Sequence, residues 1–132
     1  MGGGKEGKFP IGRTPSDRVL IRNLASMLSS YGATDGGRLA GQGQSKNRNV
    51  RNWRTSDPKG EALTMFQRAT KGARVISKSN GDVRYAYFKG ATVTYRKVSS
   101  SPDRSSAVDI VFRKRVSGYP KKQRIHHVRG ES

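Results

Sequence analysis

The chain has no cysteine. Disulfides and thiolate metal sites are therefore excluded, and the redox compartment stays open. Acidic residues are scarce, 9 Asp and Glu against 27 Lys and Arg. That scarcity argues against a two-metal nuclease, whose ions need clustered carboxylates. Histidine occurs only as the neighbours His126 and His127, and with no third ligand suggested beside them they make a poor metal site. No apolar run approaches the roughly 20 residues that span a bilayer, and no basic amphipathic helix points to a membrane surface. The start MGGGKEGKFPIG lacks the apolar stretch of a signal peptide. An export address, if there is one, is expected elsewhere, or on a larger chain of which this is the end. Hydrophobic residues make up only 32% of the 132, so one small core is expected, with part of the chain irregular.

What remains is cationic. The formal net charge is +18, a field that attracts polyanions and makes their binding strongly salt-dependent through counterion release. Nucleic acid is the expected partner. A tightly acidic protein is compatible with the same charge.

The order of patterns predicts one α+β domain. Residues 1–15, with Pro10 and Pro15, read as a flexible leader. Residues 16–52 read as a helix plus a Gly-rich basic linker. Ser16 and Asp17 suit the helix start, Leu20, Leu24, Met27, Leu28 and Tyr31 recur at helical spacing, and Gly32 is the expected stop. The linker, 33–51, matches neither a phosphate-loop nor a dinucleotide-binding glycine pattern. Trp53 reads as an anchor for a second helix, which starts at Asp57-Pro58 and buries Ala62, Leu63, Phe66 and Ala69. After Gly72 the period becomes two. Strands are expected over 73–77, 83–88, 92–98, 107–113 and 123–128, with an Asn80-Gly81 turn after the first. The fold expected is two N-terminal helices packed on a four- to five-stranded, mostly antiparallel sheet.

Alternation assigns faces. With Val93 and Tyr95 inward, Thr94 and Arg96 point outward; with Val108, Ile110 and Phe112 inward, Asp109, Val111 and Arg113 lie on the other side. His126 and His127 fall on opposite faces, so only one can serve a given site. RNA carries its own nucleophile, the 2′-hydroxyl, and can be cleaved without a metal or cofactor by a group that moves a proton and cations that stabilise charge on phosphorus. Histidine suits the first task and arginine the second.

The segments DPKGEALTMFQRATKG, KGATVTYRKVSSS, SSAVDIVF and QRIHHV resemble the toxin domains at the C-termini of bacterial polymorphic and contact-dependent toxins. Those domains resemble in turn the barnase–EndoU–colicin–RelE ribonuclease superfamily. The resemblance runs from Trp53 to Val128 and implies a ribonuclease-like toxin domain over 53–132. It carries the family's Tyr-Arg and Ser positions onto Tyr95, Arg96, Ser99 and Ser101, and the basic closing strand onto Arg124 and His126. Two departures touch this region: Pro102-Asp103-Arg104-Ser105-Ser106 stands where a Gly is usual, and the last strand ends His127-Val128 rather than in Phe.

The expectation is a small, metal-independent endoribonuclease acting on tRNA or ribosome-associated RNA in the bacterial cytoplasm, delivered there as the tip of a secreted toxin and neutralised by an acidic immunity protein. His126 is assigned the proton, and Arg96, Arg113 and Arg124 the phosphate. Thr94, Ser99 and Ser101 orient the backbone. Tyr95, Lys97, Lys121 and Lys122 complete the RNA contacts. The alternative is a non-catalytic RNA- or DNA-binding protein, phage or ribosome-associated.

Overall fold

A computed structural model describes residues 14–28, 30–31, 42–44, 47–98 and 105–130, with the backbone alone at 42–44 and 47–48. The expected α+β class is present, in the order α1 (Asp17–Leu28), β1 (Gln42–Gln44), β2 (Asn47–Thr55), α2 (Pro58–Ala69), β3 (Val75–Lys78), β4 (Val83–Phe88), β5 (Ala91–Arg96), β6 (Ser106–Phe112) and β7 (Lys122–Arg129). The strands form one seven-stranded sheet ordered β1-β2-β7-β6-β5-β4-β3. Its neighbours are antiparallel except β2 and β7, which run parallel.

The sheet is thus larger than expected and mixed, and the helices do not both precede it: β1 and β2 lie between them. Part of the stretch read as linker is β2, nine residues of sequence NRNVRNWRT. Only Val50 and Trp53 are apolar there, so no period-two signal rises above the polar background. Backbone pairing to β1 on one side and β7 on the other makes it a strand.

Helix α2 begins as its sequence dictates. Asp57 accepts the Gly60 N–H at 3.2 Å through Oδ1, and Pro58 occupies the first turn, where its missing N–H costs nothing. It lies across β5, β6, β7 and β2, while α1 packs on α2. Leu20, Leu24 and Met27 of α1 meet Ala62, Met65, Phe66 and Ala69 of α2 in one buried cluster, floored by Val93, Tyr95, Val108, Ile110 and Ile125 of the sheet. Asn23 locks the pair: its amide donates to the carbonyls of Ala69 and Lys71 at 2.8 and 2.9 Å, satisfying acceptors left open at the end of α2. Asp17 ties α1 to the β4–β5 turn by accepting the Gly90 N–H at 2.7 Å.

The β3–β4 connection follows the Asn-Gly expectation. Ser79, Asn80 and Gly81 all have positive φ (55°, 57° and 89°). That conformation costs Gly81 little and suits Asn80 better than most side chains. Trp53 is half-buried against the core and meets Tyr31 edge-on at 5.6 Å.

Candidate nucleic-acid interface

Because side chains alternate, the helix-facing set of each strand leaves a second set on the opposite face. No element among the described residues covers that face. The register aligns its side chains in cross-strand rows. One row runs Arg96–Ala107–His126–Asn52 across β5, β6, β7 and β2. The next runs Tyr85–Thr94–Asp109–Arg124–Val50 from β4 to β2. A third runs Tyr87–Thr92–Val111–Lys122 from β4 to β7. Thr92, Thr94, Asp109, Lys122, Arg124 and His126 line a depression of about 580 Å³, within the size range of sites that hold small ligands.

His126 is the proton-carrying candidate at this surface. It is buried, and its Nδ1 lies 2.9 Å from the Ser105 hydroxyl oxygen. The bond fixes the ring, and the tautomer sets the role of Nε2. With Ser105 accepting, Nε2 of the neutral ring keeps a lone pair and can act as a base; with Ser105 donating, Nε2 carries the hydrogen and is a hydrogen-bond donor. Ala107 is the only side chain between His126 and Arg96 in their row, and neighbouring strands are about 4.8 Å apart. The Cα atoms of Arg96 and His126 therefore stand about two strand spacings apart, and the Arg96 side chain borders a neighbouring depression with Thr92 and Thr94.

Arg124 is committed differently. Its Nε and Nη2 donate to Oδ1 and Oδ2 of Asp109 at 2.5 and 3.2 Å. The Asp109 hydrogen bond raises the guanidinium pKa further, against the opposing effect of burial. The pairing orients Arg124 and cancels part of its charge, leaving the Nη1 side for a ligand. Asp109 is the single acid in these rows, so the face stays cationic through Arg96 and Lys122.

His127 belongs elsewhere. It is fully buried on the helix side, and neither ring nitrogen meets a partner at hydrogen-bonding geometry among the described residues. Burial pushes its pKa down to about 4; the Ile125 backbone opposes that shift and His126 adds to it. It borders a second depression at the start of α2, with Lys97, Ser105 and Ser106. The separation of the two histidines follows from β7 being a regular strand.

The expected site is therefore assembled in part. Arg96, Thr94, Lys122, Arg124 and His126 share the uncovered face. Tyr95 does not: it is 1% exposed in the core, 6.1 Å from the Phe66 ring, and cannot touch RNA. Lys97 falls on the helix side and lines the second depression. Arg113 stands just past the end of β6, exposed, with its backbone N–H bonded to Gly90, and Lys121 is exposed just before β7. Neither lines the depression at His126. Strand ends decide this, since facing is inherited only while the pleat continues. Ser99 and Ser101 lie outside the described residues.

Sequence reasoning missed Ser105, Asp109 as the partner of Arg124, and the tyrosines Tyr85 and Tyr87. The alternation of β4 separates Tyr85 and Tyr87 from Ala86 and Phe88 but carries aromatics on both sides, so it does not say which side is open. No family model, curated protein or solved structure matches the chain.

Proposed function

We propose that the chain is a small endoribonuclease that needs no metal and works on the uncovered sheet face. The observation that carries this reading is the Ser105–His126 contact at 2.9 Å, set in the same row as Arg96 and one row from Arg124. The 2′-hydroxyl oxygen bonds to phosphorus as its proton passes to a base; the P–O5′ bond breaks, and the leaving oxygen takes a proton. His126 is assigned one of these proton transfers. Arg96, Lys122 and the outer edge of Arg124 stabilise the charge gathered on the phosphoryl oxygens. Thr94 orients the backbone. A role as a toxin domain on tRNA or ribosome-associated RNA in the bacterial cytoplasm, with an acidic inhibitor protein as partner, is part of the proposal. It is supported by the order of the segments from Asp57 to Val128 and by the net charge of +18.

A non-catalytic nucleic-acid-binding protein is the second reading. It is favoured by the burial of His126, 5% exposed, and by the engagement of the Arg124 fork with Asp109.

Incubation of the purified chain with total RNA in EDTA separates the two. Cleavage is expected from the wild type, with a loss of about 100-fold or more in His126→Ala, the usual size of a general acid–base contribution. Arg96→Ala, at an exposed position that the core does not depend on, is expected to lose cleavage while staying folded. No cleavage by the wild type, or undiminished cleavage by both variants, overturns the enzyme reading.

A further inference from the structure

The uncovered face extends past the proposed catalytic rows to β4, where it changes character. Tyr85 and Tyr87 sit two residues apart on the same side of that strand, their ring centroids 5.4 Å apart and their planes at 73°. Tyr87 is 44% exposed, among the few large hydrophobic side chains so placed in the described residues. An aromatic serving the core would be under the helices, as Tyr95 is. The Lys78 ammonium stands 5.6 Å from the Tyr85 ring centroid, and Arg96 borders the same shallow depression of about 430 Å³. Thr92 and Thr94 line both this depression and the one holding His126. The two are one continuous surface.

We infer that this surface selects single-stranded RNA, stacking its bases on Tyr85 and Tyr87 while the sugar–phosphate backbone crosses the threonine rows toward His126. The inference rests on reading the face as an RNA site and names the form of RNA it takes. Cations beside exposed aromatics suit a chain that offers both phosphates and unstacked base faces. A duplex offers only the first, because its bases are stacked on one another and its A-form major groove is too narrow for side chains. From the tyrosines on β4 to His126 on β7 is three strand spacings, about 14 Å, which a short run of nucleotides spans.

The test uses the full chain and a fluorescein-labelled 2′-O-methyl RNA, which has no free 2′-hydroxyl and so survives the measurement, as a single strand and annealed to its complement. Anisotropy titration is expected to show Tyr85→Ala and Tyr87→Ala each weakening single-strand binding roughly tenfold, in line with the loss of one stacked base. Duplex binding should be unchanged, and Tyr85→Phe and Tyr87→Phe should bind like the wild type. Equal single-strand affinity in wild type and alanine variants overturns the inference while leaving the ribonuclease reading standing. So does a tyrosine dependence confined to self-association in sedimentation, which would make the pair a contact between copies. Tyrosine-dependent single-strand binding without cleavage of ordinary RNA would instead retain this inference and remove the ribonuclease.

Discussion

A histidine sealed on the inner face of a sheet is held neutral when the loss of water around its charged form outweighs what its surroundings give back. His127 is in that position, with its pKa lowered from 6.5 to about 4. Between those values the unfolded chain binds more protons than the folded one, so stability falls as pH drops through the window and levels off below it. At pH 5 the loss from this residue alone is about 2 kcal/mol relative to pH 7.5. Urea unfolding at the two pH values should show wild type losing that much more than His127→Leu, which has no proton to take up. Equal losses would mean that His127 is not held neutral. Its neighbour His126 has a hydroxyl on Nδ1, and one residue along the strand suffices to move a side chain from the helix-covered face to the opposite face of the sheet.

At the scale of elements, the helical layer is held by few polar ties. Asn23 alone supplies two hydrogen bonds from α1 to the end of α2, and its truncation leaves the Ala69 and Lys71 carbonyls without those donors. Asn23→Ala should cost about 1–3 kcal/mol, read as a lowered urea midpoint with an unchanged slope. A loss below a few tenths would show that apolar packing between the helices holds their register unaided. Helices α1 and α2 and strands β4 to β6 are legible in the sequence, because their apolar residues recur at helical or alternate spacing; β7, with Ile125 and Val128 as its only apolar residues, is marked mainly by the Ser117-Gly118-Tyr119-Pro120 turn before it. Strand β2 is not. Its polar side chains give no period, and its partner β7 lies more than 60 residues further along the chain, so its pairing is a non-local fact.

For the whole molecule, charge is the dominant fact. A net +18 on 132 residues makes tight, salt-sensitive binding to any polyanion easy, so affinity alone says little about specificity. Position discriminates. Lys122 lines the depression at His126 and Arg113 does not. In a KCl titration of single-stranded RNA binding, Lys122→Ala should reduce the slope of log affinity against log salt by about 0.7, the value for one phosphate contact on a single strand. Arg113→Ala should leave the slope unchanged. Equal changes in both would point to a diffuse cationic surface in place of a defined track.

The amino-acid sequence by itself determined the attraction to polyanions, the two helices, the meander and the assignment of His126 and His127 to different faces. Charge and alternation are local and additive, so they can be read without knowing what packs where. The tertiary structure decided which face the described helices leave uncovered, because that depends on where they dock. It confirmed the inward Tyr95 that alternation gives, at odds with the RNA contact assigned to it, left Arg113 and Lys121 at strand ends, and brought Ser105 to His126 across 21 residues of chain. It also set Asp109 against Arg124 and placed Tyr85 and Tyr87 on the same surface as both. None of these pairings is written in spacing along the chain, because strand register and helix docking bring them about.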